Sequence, residues 1–473
     1  MIFSSYGFIL LFFPLVLAGY YFLQHYTSDK FSKLWLVGAS FLFYGVGNIQ
    51  FVPILAATAF FNYFIGRLLF KYAEKKHISL PLLLLSLAEN LGLLFYFKYT
   101  NFFLENVNRI TGGNFPMLEL ILPLGISFYT FQLISFLVDT YRSETERCSL
   151  IDFLVFVTFF PQLIVGPVIR YDSMLPQLTS PDLHRIHKEN VMKGMILFSI
   201  GCAKKILLAD MMIAHAQNFY DVMGNGNFFE AWGAVFAYTF AYYFDFSGYI
   251  DMAIGLGLFF NINLPINFNS PYKARNFADF WRRWNITISQ FFNDYIFRGI
   301  FKFGNGIGKL ILATMITFLV SGIWHGAGWH FIIWGLVNGI FVCMANIMTL
   351  KRKKLPGWMA WGLTFFFVLL IRVLFDANSM TQAIQVYKSM FDLSLLRIDA
   401  QAFFQLGRTY ISDSFFVVLL IIIGAAICFF FKNSNEIVEN LKPKWYHAAF
   451  CGVLLATSLM CMSQVSQFLY FQF

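Results

Sequence analysis

The segment Ser321-Gly-Ile-Trp-His-Gly-Ala-Gly-Trp-His330 sets two imidazoles between two apolar runs. An ionisable side chain placed at membrane depth costs about 2.5–3.5 kcal/mol on insertion scales, so each such group is a functional candidate. His325 can act as a general base, because imidazole exchanges protons readily near neutral pH. It can equally be a buried histidine that hydrogen-bonds between helices. His330, nearer the start of the next apolar run, is the weaker candidate. The glycines around both allow the backbone to approach a ligand or another helix closely.

Tyr242-Tyr-Phe-Asp-Phe-Ser-Gly-Tyr-Ile-Asp251 carries two carboxylates in an otherwise apolar span. Asp245 and Asp251 are six residues apart and project in different directions around a helix, which disfavours paired-carboxylate catalysis. Capping, or pairing with a basic residue such as Arg282 or Arg283, is the favoured role. Those arginines can alternatively meet the phosphates of a nucleotide-bearing donor. Pro161, Gly166 and Pro167 in 159–171, and the broken stretch 123–132, are expected to interrupt apolar helices for packing. Glu89 and Asn90 are expected to make interhelical or interface contacts.

Residues 261–303 mix Lys273, Arg275, Asp279, Arg282, Arg283 and Asp294 with Phe268, Tyr272, Phe280, Trp281 and Trp284. That mixture suits neither a lipid-facing helix nor a solvated loop. Amphipathic helices at the interface, or helices folded back into a protected cavity, accommodate it better. Trp281, Arg282 and Trp284 here, with Trp324 and Asp245, are the expected substrate contacts.

These groups must be positioned by membrane helices. Of the 473 residues 58% are hydrophobic, 20% aromatic and only 12% charged. Soluble domains carry about 25% charged residues, so too little polar material remains to coat a water-facing surface. The mean hydropathy of +0.64 agrees. Apolar runs at about 7–24, 34–47, 51–70, 80–98, 117–138, 151–168, 191–209, 231–260, 309–324, 329–349, 357–376, 413–431 and 447–465 predict ten to thirteen membrane segments. Some of these are re-entrant or shorter than a full crossing. The chain is read as all-α, multi-pass and one domain over 1–473. Its first apolar run lacks a basic leader and a cleavage pattern, and reads as a spanning helix.

The net charge of +9 comes from basic residues scattered among apolar spans. Orientation by the positive-inside rule explains it better than nucleic acid does. Lys71, Lys75 and Lys76, and the cluster Lys351 to Lys354, are therefore placed in the cytoplasm. The six cysteines, Cys148, Cys202, Cys343, Cys428, Cys451 and Cys461, have no close spacing and suggest neither disulfides nor a metal site. No phosphate-cradling loop, nucleophile elbow or inverted repeat is visible, which argues against an ATP-driven pump and a secondary transporter.

Six segments in order carry a resemblance: 122–132, 159–171, 203–210, 243–257, 267–289 and 321–335. With the stretch near residue 90 they span most of the chain. The sequence resembles the membrane-bound O-acyltransferase family, and within it the bacterial membrane subunits that O-acetylate alginate and peptidoglycan. The resemblance implies a ring of tilted helices around a central tunnel, with re-entrant and interfacial helices, in the bacterial cytoplasmic (inner) membrane. It matches the family's catalytic histidine to His325 and its second polar position to Asn285, where polysaccharide-acetylating relatives commonly carry histidine. It implies acetyl-CoA as a donor substrate and no permanently bound cofactor or metal. The implied partners are an extracytoplasmic esterase-like acetyltransferase, a polysaccharide acceptor and membrane lipids.

Within the same fold, the alternatives are D-alanyl transfer from a carrier protein to teichoic acid, and acylation of a lipid or protein. A non-enzymatic transporter using Asp245, Asp251 and His325 as an ion path is the alternative from another class. It leaves the ordered segments unexplained.

Overall fold

The computed structural model describes all residues except 48, 148, 303, 354, 440, 442–443 and 463–473, together with the side chain of His184. Cys148, Lys354 and the final part of the 447–465 run thus lie outside the described residues. The described chain is helical, and its one extended pairing is an isolated antiparallel bridge between Phe268 and Trp284. Helices satisfy every backbone group within their own segment, the requirement that hydrocarbon imposes. Among the described residues no cysteine forms a disulfide.

Among the described residues, six helices are long and apolar enough to cross a membrane: Gly7–Tyr26, Ile49–Lys71, Lys76–Thr111, Ile307–His325, Trp329–Leu350 and Gly357–Asp376. A bent pair, Ala400–Asp413 and Phe415–Phe430, meets the same measure only when its two pieces are taken together across an 85° break. The larger number of segments expected from hydropathy includes runs that are interrupted. In 117–138 the helix begins only at Ile126, after Gly125 in the left-handed region (φ 73°). A Cβ at Gly125 would also lie 2.7 Å from the Leu163 carbonyl oxygen. In 151–168, Phe159 leaves the helical region (φ −49°, ψ 108°) and divides the run into Leu150–Thr158 and Phe160–Leu163. Pro161 sits in the first turn of the second piece, where its missing N–H is no loss. The helix Phe228–Phe259 is long, but Asp245, Asp251 and the tyrosines 238, 242, 243 and 249 dilute its hydropathy.

The chain divides into two compact units. The first comprises Met1–Ile200, Tyr249–Ile266 and Leu441–Val453. Phe3, Phe8, Phe12, Phe43 and Phe160 form one aromatic cluster in it, with centroids 5.1–6.1 Å apart. Lys33 is buried between Asp29 (2.6 Å) and Asp152 (2.7 Å). Glu89 accepts from Asn62 at 3.3 Å, and Asn90 donates to the Asn62 side chain at 2.7 Å. These contacts give Glu89 and Asn90 the interhelical role expected of them.

The second unit comprises Gly201–Gly248, Asn267–Asn440 and Leu454–Phe473. Its central pair is Ile307–His325 and Trp329–Leu350, joined by only three residues. The two backbones touch at Gly322 and Gly335. A Cβ at Gly335 would stand 2.4 Å from the Phe318 carbonyl oxygen, and one at Gly322 2.5 Å from that of Phe331. Lys351, Arg352 and Lys353 lie exposed at the far end of the second helix. That helix has 22 residues, about 33 Å. Residues 267–302 are neither a long helix nor a solvated loop. They form short helices, Phe277–Trp281 and Ile286–Phe292 among them, that bury Phe268, Tyr272, Phe280, Trp284 and Phe292.

Candidate active site

His325 is the last residue of its helix and is 8% exposed. Its ring meets Trp324 at 4.5 Å, Trp334 at 4.9 Å and Phe375 at 5.1 Å between centroids, all three edge-on. The short connection after His325 folds the chain back and brings Trp334 onto it. Three aromatic rings restrict the orientation of the imidazole, which a base needs if it is to face a reacting proton.

Asn285 reaches the same place by another route. The bridge between Phe268 and Trp284 is extended on both sides by backbone bonds. Asn269 donates to the Arg283 carbonyl at 2.9 Å, and Ile286 donates to the Asn267 carbonyl at 3.0 Å. The Asn267 side chain also accepts from the Thr287 amide at 3.1 Å. Asn285 turns this ribbon into the next helix in the left-handed region (φ 43°, ψ 57°). Asparagine tolerates that conformation better than other residues with a Cβ. Its carboxamide oxygen is buried with no hydrogen-bond partner among the described residues. A buried acceptor left open in this way is available to a ligand.

Two cavities share His325, Asn285, Trp281 and Trp284 in their walls. The larger measures about 420 Å³. Thr314, Thr317, Ser321 and His325 line it at steps of three and four residues, so one face of the His325 helix forms a wall. Asn346, near the basic turn, lines it as well. The smaller cavity is about 40 Å³ and adds Tyr242, Trp334, Arg372 and Phe375.

Trp281 lines both cavities, donates to the Asn338 side chain at 3.2 Å and packs on Trp334 at 5.6 Å. Arg282 is exposed on the larger cavity, with its Nε donating to the Ala278 carbonyl at 3.2 Å. Trp324 lines neither and is wedged between His325 and Phe292. His330 lines neither and packs on Phe331. Asp245 is likewise absent from both walls. It is buried in an ion pair with Lys205 at 2.7 Å, and Lys205 also reaches Asp210 at 2.8 Å. The arginines weighed as partners for Asp245 bond elsewhere, Arg283 to Asp279 at 2.9 Å. Asp251 belongs to the first unit.

Sequence reasoning passed over Arg372. It lies in the apolar helix Gly357–Asp376, where the rule that singled out His325 applies equally. Asp376, four residues on, is the signal of a built pair. The guanidinium also covers the face of Tyr242 at 3.6 Å, and Tyr242 stacks on Trp284 at 6.0 Å and 11°. Among the described residues no group of three or more His, Cys, Asp or Glu side chains is placed to hold a metal ion.

A histidine and an amide converging on a cavity inside apolar helices suit acyl transfer from a bound donor. The comparisons with known proteins agree. Residues 84–380 match MBOAT, the membrane-bound O-acyltransferase family. The chain is 38% identical to the peptidoglycan O-acetyltransferase of Helicobacter pylori, over 100% of this chain and 98% of that protein. It is 34% identical to the probable alginate O-acetylase AlgI of Pseudomonas aeruginosa, over 83% of this chain and 75% of that one. It is 29% identical to the teichoic acid D-alanyltransferase of Bacillus subtilis, over 54% of this chain and 68% of that one. A multi-pass helical protein with this cavity, and with such similarity over its full length, belongs to the membrane-bound O-acyltransferase family and is an acyltransferase.

Proposed function

We propose that this protein carries acetyl groups from cytoplasmic acetyl-CoA across the bacterial cytoplasmic membrane for O-acetylation of an extracytoplasmic polysaccharide. Peptidoglycan is the favoured acceptor, because the relative named for it is 38% identical over nearly the whole of both chains, against 31–35% for the relatives named for alginate. The observation that carries the reading is that His325 and Asn285 line one cavity extending along the His325 helix. From Thr314 to His325 that wall covers eleven residue steps, about 16 Å. With the basic turn at Lys351 on the cytoplasmic side, His325 lies at the opposite end of the adjoining helix. A donor entering from the cytoplasm would thus present its thioester toward the far side of the membrane.

In the proposed reaction His325 takes the proton of the acceptor hydroxyl as its oxygen attacks the thioester carbonyl carbon. The carbonyl π-electrons move onto oxygen, and the Asn285 amide donates to that developing charge. As the intermediate collapses the C–S bond breaks, and the imidazolium returns the proton to the departing thiolate. Trp281 and Trp284 shape the cavity, and Arg282 at its exposed edge offers a cation to donor phosphates. The acceptor at this site is a hydroxyl of an extracytoplasmic esterase-like protein, which completes the transfer to sugar. What supports this partner is the resemblance carried by the six ordered segments.

The test is transfer of label from radiolabelled acetyl-CoA by the protein in lipid bilayers, with the candidate partner and glycan fragments supplied. Label on the partner or glycan supports the proposal. Absence of transfer from acetyl-CoA, with transfer from a carrier-bound D-alanyl thioester, would overturn it.

A further inference from the structure

The smaller cavity has no assigned role, and its size and charge are unusual for a site in apolar helices. Its volume is about 40 Å³, and Tyr242, Trp334, Val368, Arg372 and Phe375 line it together with His325 and Asn285. A water-sized unit takes about 10–15 Å³ on this measure. The cavity therefore has room for about three non-hydrogen atoms, the number in an acetyl group. Tyr242, Val368 and Phe375 are buried, and a packed interior does not yield cheaply to an extra methylene.

The wall is also charged. Arg372 lines the cavity, while its counter-ion Asp376 does not. Both Asp376 oxygens are engaged by Arg372, at 3.0 Å from Nε and 2.5 Å from Nη2. The face of Tyr242, which could otherwise attract an ammonium group, is already covered by the guanidinium at 3.6 Å. The wall carries no carboxylate, so a second cation brought into this space would be buried without a counter-ion, with only the neutral Asn285 oxygen open to it.

We infer that the 40 Å³ cavity is the acyl pocket, and that it selects a short, uncharged acyl group by size and by the fixed charge of Arg372. This inference rests on the reading of the substrate as a thioester. The acyl methyl enters between Phe375 and Val368, and the carbonyl stays beside His325 and Asn285. Longer chains meet buried side chains, and aminoacyl groups meet the guanidinium.

The experiment compares acetyl-, propionyl-, butyryl- and glycyl-CoA as donors for the full chain in lipid, with acceptor present, reading kcat/KM from thiol release. Propionyl and glycyl groups have the same number of non-hydrogen atoms and differ in charge. At about pH 6.5, below the usual α-amino value, the glycyl amine is protonated. The expected result is acetyl preferred over butyryl by about tenfold or more, the scale of methylene discrimination. Propionyl should exceed glycyl by a similar factor. Val368→Ala should narrow the acetyl–butyryl gap, and Ile371→Val, at another wall residue, provides the same reading if the first variant does not fold. The double variant Arg372→Gln/Asp376→Asn should narrow the propionyl–glycyl gap alone. Butyryl as good as acetyl, or glycyl as good as propionyl, in the parent overturns the inference while leaving thioester transfer intact. Thiol release from none of the four overturns both.

Discussion

Arg372 and Asp376, one turn apart on an apolar helix, form a two-pronged ion pair with Nε–Oδ2 3.0 Å and Nη2–Oδ1 2.5 Å. The Asp376 side chain is 1% exposed and the Arg372 side chain 10%. Neither charge could be held here alone. Removing one member of a buried pair costs about 3–5 kcal/mol, because the other is left uncompensated.

Asp376→Ala is therefore expected to be far less stable than the neutral pair Arg372→Gln/Asp376→Asn. Thermal unfolding of the purified variants in detergent compares them. Equal losses in the two would mean that the charge of the pair is not what makes the single change costly.

His325→Ala should leave the fold intact and lower acyl transfer by roughly 10²–10⁴-fold, the range for loss of a positioned proton-transfer group. The helix ends at His325 in any case, and the aromatic rings around it pack largely on one another: Trp334 on Phe375 at 5.3 Å, and Trp281 on Trp334 at 5.6 Å. Transfer rates alongside an unfolding curve check this. Unchanged turnover in a folded variant would remove His325 from the chemistry.

Asn285 combines a backbone role with a side-chain role, and two substitutions separate them. Glycine accepts φ 43° freely, so Asn285→Gly keeps the turn and loses only the amide. Asn285→Ala loses the amide and also adds about 1–2 kcal/mol of left-handed strain. If the amide supports the developing oxyanion, both should slow transfer by roughly 10²–10³-fold, and only the alanine variant should also unfold earlier. A glycine variant as active as the parent would confine Asn285 to the turn.

Hydropathy and charge made the membrane class legible and singled out His325 as a candidate, since a histidine between apolar runs is conspicuous in one dimension. Asn285 was legible only by resemblance. Its position depends on a ribbon that pairs residues 267–269 with 283–286, and short extended pairs leave little periodicity. The interruptions at Phe159 and Gly125 were foreshadowed by Pro161 and by the broken character of 123–132. Hydropathy windows nevertheless average across such breaks, so runs that fold as short helices pass for spans. Asp245 shows the converse limit. Its charge attracted a binding role, but its partner Lys205 lies forty residues earlier, in a π-helical turn at Lys204–Ala209, and no local pattern links the two.

That buried group yields the last prediction. Lys205 stands between Asp210 and Asp245, all three at most 5% exposed in their side chains. Lys205→Met would leave two carboxylates in one apolar space, where ionisation of both is strongly disfavoured. It should destabilise the second unit severely. Adding Asp210→Asn and Asp245→Asn should restore much of the loss, because hydrogen-bonding amides replace charges that have no counter-ion. None of the three lines the cavity at His325, so the restored triple variant should keep the parent KM for the acyl donor. Purified yield and unfolding temperature report the first effect, and donor saturation curves the second. A triple variant that is stable but has a much raised KM would move Asp245 from the scaffold into substrate binding.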